Sequence, residues 1–321
     1  MCIRDSSPTE KATVHHIVVL STGGTIASTH DSKGAVVPTV SGEELVKPVY
    51  DAFPKGTLHL EVQKIAQLDS SAMTLDDTDH IIQAVLRALG RAEVSGVIVT
   101  HGTDSMEETA IALDTFVSGN KPVVLTGAMR PHDDPHPDGP SNLTLAVRTA
   151  TDAHNRGKGV FVAFGGKVFH ARGLHKADTQ KEDGFATNCP HGVKRPAPLP
   201  FKPLRDVRVD IIAAYPGAPA TLIDSSIDNG AQGLVIEGMG DGNIGSTFAD
   251  AAVRAATRHH VPVVLTTRVD AGQVAGVYGG AGGGATLAEK GIISSGPLRA
   301  GQSRILVAAA LATGTDPRKL F

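Results

Sequence analysis

Tryptophan is absent from the 321 residues, tyrosine occurs three times, and aromatic residues make up 4% of the chain. Without stacking surfaces, single-stranded nucleic acid has no platform to bind, and an aromatic-lined ligand groove has little to be built from. Basic charge is not in excess either. Thirty Lys and Arg face 33 Asp and Glu, for a net charge of −3, and no block of cations is placed to neutralise a phosphate backbone. Cysteine is limited to Cys2 and Cys189, too few for a disulfide framework, so both read as free thiols. No apolar run approaches the ~18 residues that span a bilayer, and the first residues lack the apolar stretch of a signal peptide. These absences predict a cytoplasmic protein with no nucleic-acid or membrane partner and a small, polar ligand.

What is present is a repeated design of strand, glycine turn and hydroxyl. Val97-Ile98-Val99 is a β-branched apolar run that ends at Thr100 and gives way to a turn at Gly102. The turn delivers Thr103 and Asp104 to one spot. Ser105 and Glu108 follow at capping-box spacing, which predicts a helix carrying Ala110, Ile111, Leu113 and Val117 inward. Near the start of the chain Ile17-Val18-Val19-Leu20 runs likewise into Ser21-Thr22-Gly23-Gly24-Thr25. Each segment puts a threonine beside glycine at the carboxyl end of a strand, where open α/β sheets bind their ligands.

Between these landmarks the chain alternates. A strand is expected over Leu58–Val62, and a Thr74/Asp77 capping box opens a helix with Ile81, Ile82, Val85, Leu86 and Leu89 on its inner face. Strands follow at Pro122–Leu125 and Val160–Phe164, with a helix over Asn142–Ala153 between them, and Lys167–Lys176 reads as a hairpin. His30–Val40 is polar and small, the pattern of a surface loop over a strand-end site. Five prolines from Pro190 to Pro203 interrupt both periodicities. Beyond them come strands at Val209–Ile212, Leu234–Ile236 and Val261–Leu265, a helix over Thr247–His260, a mobile glycine-rich tip at Gly279–Gly284 and an amphipathic helix at Gln302–Leu311. A chain of this length exceeds what one core comfortably serves. The expectation is therefore α/β, with a large, mainly parallel-sheet N-terminal domain over 14–190, a Pro-rich linker over 191–208 and a smaller C-terminal α/β domain over 209–321. Residues 1–13 read as a disordered tail or an assembly scar.

Thr22-Gly23-Gly24-Thr25-Ile26-Ala27 and His101-Gly102-Thr103-Asp104-Ser105-Met106-Glu107-Glu108-Thr109 resemble the two signature segments of the bacterial-type asparaginase/glutaminase family, in the same order. Thr126-Gly127-Ala128-Met129-Arg130, Asp138-Gly139-Pro140, Lys176 and Gly238-Met239-Gly240-Asp241-Gly242-Asn243 resemble later family segments, so the likeness runs from about Val14 to the C-terminus. It implies hydrolysis of L-asparagine to L-aspartate and ammonia, with L-glutaminase activity left open. The implied catalytic residues are Thr25 as nucleophile with Thr103, Asp104 and Lys176. Substrate contacts would come from Ser70, Ser71, Gly102, Asp104, Ala128 and Asn243, with Ser70 on the substrate carboxylate. No cofactor is implied, and a homo-oligomer, dimer or tetramer, is.

Two departures stand out. The family's loop tyrosine, which contacts the nucleophile, is matched here by Pro38, with Tyr50 the nearest tyrosine, and the second-domain glutamate has no counterpart between Arg268 and Leu287. Taken singly, Thr25 or Thr103 would more simply be a cap or turn hydroxyl, Lys176 a surface cation, and Asn243 a residue tolerant of left-handed backbone. His132-Asp133-Asp134 with His136 and Asp138 has metal-ligand chemistry but no standard zinc or calcium spacing, and reads as a polar surface loop. A dinucleotide-binding protein and a non-catalytic amino-acid binder remain the alternatives. Gly23-Gly24 lacks the G-x-G-x-x-G pattern the first would need.

Overall fold

The structure, a computed structural model, describes residues 13–192 and 194–321. Cys2, and the expected N-terminal tail apart from Thr13, lie outside them. The chain opens with β1 (His15–Gly23), a single 3-10 turn at Thr25–Ala27, and a small antiparallel pair, β2 (Ser28–His30) with β3 (Val36–Pro38). The loop expected over His30–Val40 is thus half of a hairpin. The Asp31 carboxylate turns it by accepting Lys33 N at 2.8 Å and Ala35 N at 2.9 Å.

Next come α1 (Gly42–Tyr50), β4 (Leu58–Leu68), α2 (Leu75–Leu89), β5 (Gly96–Thr100), α3 (Met106–Phe116), β6 (Val123–Thr126), α4 (Gly139–Thr151) and β7 (Val160–Phe164). They build a sheet in the order β4-β1-β5-β6-β7, parallel throughout, which is closed by the antiparallel β8 (Lys167–His170). Successive side chains on a strand face opposite ways, and the burial follows that rule. Val18, Leu20, Val97 and Val99 pack with α2 and α3, whereas Ile17, Val19 and Ile98 pack with α1 and α4. Each fully buried aliphatic side chain contributes roughly 1.5–3 kcal/mol, so the sheet is clamped from both faces.

The expected hairpin over Lys167–Lys176 does not form as such. Its first half pairs back onto β7 through Gly165 and Gly166, while its second half, β9 (Leu174–Lys176), pairs with β10 (Phe185–Thr187) in a separate two-stranded sheet. The Pro-rich stretch contains no helix or strand among the described residues. It is nonetheless anchored, because the buried Asp79 carboxylate accepts Leu204 N at 2.8 Å and Arg205 N at 3.0 Å.

A second sheet follows, from β11 (Val209–Ala213), α5 (Thr221–Asp228), β12 (Gly233–Gly238), α6 (Ser246–Thr257), β13 (Val263–Thr267), α7 (Gly284–Glu289) and β14 (Ile293–Ser294), in the order β11-β12-β13-β14 and all parallel. Helices α5 and α6 cover one face. The last helix, α8 (Ala300–Thr313), covers the other and also packs on α3. That double contact corrects the amphipathic expectation, since from Ile305 to Ala310 every residue of α8 is buried. The glycine-rich tip is divided: Gly279 and Gly280 are exposed with open space around them, whereas a Cβ on Gly283 or Gly284 would run into the backbone of Tyr278 or Gly276.

Candidate active site

Strands β1 and β5 lie side by side and parallel, Ser21 opposite Thr100. The chain leaves β1 toward α1 on one face and leaves β5 toward α3 on the other. Between such diverging connections the carboxyl ends of two strands open a crevice, the usual ligand position of an open α/β sheet. Here the crevice is shaped by backbone packed on backbone. Gly24 adopts φ +87°, and a Cβ there would sit 2.7 Å from Gly102 N, while a Cβ on Gly102 would collide with the Ser70 hydroxyl. The Thr22 hydroxyl ties the two strand ends together by donating to Thr100 O at 2.7 Å.

Thr25 and Thr103 consequently line one cleft of about 330 Å³, together with Ser70, Gly102, Asp104 and Pro38. Both hydroxyls thus border one cavity, whose size suits a small polar molecule. Lys176, at the end of β9, donates from Nζ to Thr103 Oγ1 at 2.9 Å and to Asp104 Oδ1 at 3.0 Å. Ser70 is buried at the rim. Its Oγ accepts Asp104 N at 3.2 Å, which leaves its own proton free for a ligand. An adjoining cavity of about 670 Å³ begins behind Ser70 and Asp104 and includes Lys176, Ser71, Glu108 and Arg304.

Three supporting groups carried no role from sequence. His101 is wholly buried, its Nδ1 2.6 Å from Gly102 O and its Nε2 2.8 Å from Thr109 Oγ1. The carbonyl requires Nδ1 to hold the proton, and burial pushes the pKa down to about 4, so the neutral ring accepts the Thr109 hydroxyl at Nε2 and pins the turn. Glu107 stands at the start of α3; burial, reinforced by the neighbouring Glu108 charge, pushes its carboxyl up to about 8. Gln302 of α8 is the third, joined to both the α3 start and the approach to β9.

The expected capping box at Ser105 and Glu108 is absent, since Ser105 Oγ donates instead to Ser70 O at 2.6 Å. The one at Thr74 and Asp77 forms in both directions. The His132–Asp138 cluster is spent on structure: the Asp133 carboxylate faces His30 Nδ1 at 3.0 Å, and the Asp138 carboxylate accepts Met129 N and Arg130 N at 2.9 Å. Among the described residues no group of three or more His, Cys, Asp or Glu is arranged to hold a metal.

The comparison that decides the family is domain-wide: residues 16–195 match the family model "Asparaginase, N-terminal" and residues 208–320 match "Glutaminase/Asparaginase C-terminal domain". The chain belongs to the asparaginase family. Its relatives include a probable L-asparaginase of Deinococcus radiodurans, 35% identical over 97% of this chain and 98% of that one, and L-asparaginase 2 of Bacillus subtilis, 30% identical over 99% and 88%. Among solved structures, a probable cytoplasmic L-asparaginase from Campylobacter jejuni superposes with a TM-score of 0.80 at 30% identity, covering 95% of this chain and 98% of that one.

Within this asparaginase-family chain, the expected site residues divide into two sets. Thr25, Ser70, Gly102, Thr103 and Asp104 line the crevice, and Lys176, in the adjoining cavity, reaches it through its bonds to Thr103 and Asp104. Ser71 is exposed, its hydroxyl donating to Asp69 Oδ1 at 2.8 Å, and it faces the adjoining cavity rather than Thr25. Ala128 is buried at 2% exposure in the core with Ile26 and Leu143, outside the cleft lining. Asn243 lies in the turn after β12, bridged to Met239 outside the second sheet, and does not line the cleft. Its backbone is not left-handed, since His260 is the one non-glycine at positive φ among the described residues. Tyr50 is occupied elsewhere, its hydroxyl accepting Leu60 N at 2.9 Å.

Proposed function

We propose that this protein is an L-asparaginase acting through a threonine nucleophile. Asparagine seats its side-chain amide over Thr25, and its α-carboxylate takes the free proton of Ser70. Its ammonium pairs with Asp104, whose carboxylate is more than half exposed and so has capacity beyond Lys176. Thr25 Oγ attacks the amide carbon, the C–N bond breaks, and ammonia leaves with the proton delivered to it. Water then cleaves the resulting ester, releasing aspartate and restoring the hydroxyl. Lys176 and Thr103 hold and move the proton across these two steps, and backbone N–H groups of the two glycine-flanked turns face the oxyanion.

The observation that carries this reading is that Thr103 and Asp104, both bonded to Lys176, line the same small cleft as Thr25. The names of the relatives support asparagine as substrate. Glutamine adds one methylene, worth only ~1–3 kcal/mol in a pocket, so glutaminase activity belongs to the same proposal as a weaker reaction. Ammonia release is the test. Turnover of asparagine that vanishes in both Thr25→Ala and Thr103→Ala, with folding intact, is the expected result; near-normal turnover in either variant would overturn the mechanism.

A second reading rests on one distance. Thr103, and not Thr25, is the hydroxyl hydrogen-bonded to an amine, so the acyl group could form on Thr103 with Thr25 binding the substrate. Domain limits at 14–190 and 209–321, a cytoplasmic location and assembly as a dimer or tetramer complete the proposal. Sedimentation of the intact protein tests the last.

A further inference from the structure

We propose that Gln302 is a positioning residue that sets where the Lys176 amine stands relative to Thr103 and Asp104. The inference rests on the reading above for its catalytic consequence, though not for its geometry. Gln302 is 1% exposed on α8, the helix that follows the second sheet. Its Oε1 accepts Gly173 N at 2.9 Å, and its Nε2 donates to Ala171 O at 2.7 Å and to Glu107 O at 3.1 Å. One acceptor and two donors meet one donor and two acceptors. The amide is complete, and no other side chain of similar shape offers that set.

What it joins matters because nothing in the sheets joins it. Thr103 and Asp104 follow β5, in the middle of the six-stranded sheet, whereas Lys176 ends β9, which is paired only with β10. No strand ladder fixes the distance between them. Gly173 stands three residues before Lys176, and Glu107 three residues after Asp104, so Gln302 grips both approaches at once. On the far side, Gly173 is at φ +90°, a Cβ there would lie 2.5 Å from Cys189 Sγ, and its carbonyl accepts Asn188 N at 3.1 Å. With that backbone held from both sides, the strand that carries Lys176 is fixed at the distance from which its Nζ reaches Thr103 and Asp104.

Gln302→Leu keeps the bulk and removes all three bonds. Gln302→Glu is the sharper variant. As a neutral acid it accepts Gly173 N and donates to one carbonyl, whereas as a carboxylate it confronts both carbonyl oxygens. Two readouts are needed. The first is the rate of reductive methylation of Lys176, followed by peptide mass spectrometry against the exposed Lys55 as internal reference, and it requires no enzyme activity. The second is kcat and KM for asparagine between pH 5.5 and 8.5.

In Gln302→Leu, Lys176 labelling should accelerate severalfold with Lys55 unchanged, and kcat should fall about tenfold or more with KM within twofold, as a displaced proton-transfer group requires. In Gln302→Glu both defects should shrink as pH falls. Unchanged Lys176 labelling overturns the inference, as does a Gln302→Glu variant whose defects show no recovery at low pH. If Gln302→Leu does not fold, the pH series on Gln302→Glu decides alone. Selective labelling of Lys176 in a protein whose wild type releases no ammonia would uphold the positioning role and refute the asparaginase reading.

Discussion

The two glycine-flanked turns look alike in sequence and differ in what surrounds them. The turn after β5 presents Thr103 with an amine already 2.9 Å from its hydroxyl and a carboxylate on the next residue. The turn after β1 presents Thr25 at the head of a single 3-10 turn, and the described residues lining its cleft include no tyrosine, lysine or histidine. Pro38 occupies the nearby hairpin where the family resemblance calls for tyrosine. The amine that meets Thr103 and the hydroxyl proposed as nucleophile therefore sit on separate strands. The two strands thus bring different groups to the crevice: β1 brings a hydroxyl on a backbone pressed against its neighbour, and β5 with β9 bring a hydroxyl, an amine and a carboxylate.

The most direct way to break that comparison is to remove one hydroxyl at a time. Thr25→Ala is expected to lower kcat by about 10⁴-fold or more, as loss of a nucleophile does. If the acyl group instead forms on Thr103, a slow deacylating variant such as Lys176→Met will carry the added mass on the peptide containing Thr103. Lys176→Met itself should lower kcat by ~10²–10⁴-fold, the range for losing a positioned acid or base, with ammonia release as the measurement. An equal effect on KM alone would mean that Lys176 only binds substrate.

Gly24→Ala probes the packing of one turn on the other. It forces a side chain onto φ +87° and into Gly102 N, so a loss of ~1–3 kcal/mol in unfolding free energy is expected, with activity falling further than stability alone explains. Gly34→Ala, also at positive φ but with open space around it, is the control that should retain activity.

The smallest effect concerns Glu107. Its carboxyl titrates near 8 in the folded protein because burial, and then the Glu108 charge, disfavour ionisation; the unfolded value is 4.5. Between those values folding takes up a proton, so this group's contribution is fully present below pH 4.5 and is lost as pH rises through 8. Chemical denaturation of Glu107→Gln across that window should show a flatter stability profile than the wild type. Parallel profiles would show that Glu107 is ionised in the native state.

How far the sequence could be read depended on how local each signal was. Val160–Phe164 was legible as a strand to the residue, because an apolar run between turns has one simple use. Thr74 with Asp77 and Ser105 with Glu108 have the same capping spacing, yet only the first pair formed, since Ser105 found a better acceptor at Ser70 O, 35 positions away in the chain. Lys167–Lys176 alternated like a hairpin but was divided between two sheets. Asn243 and Ala128 were chosen by resemblance, and the fold buries Ala128 in the core and places Asn243 in the turn after β12, outside the cleft lining. His101, Glu107 and Gln302 gave no local signal at all, because a neutral histidine, a protonated glutamate and a saturated amide acquire their roles only when water is excluded.

By itself the sequence determined the alternation of strands and helices, the two threonine turns and the parallel sheet that places them at one edge, since periodicity and turn chemistry are properties of neighbours along the chain. Tertiary structure alone decided which hydroxyl meets the amine across 73 residues and which acids stay protonated. It also decided that the final helix is wedged between two layers. Those outcomes depend on burial and on distances between segments that no local pattern encodes.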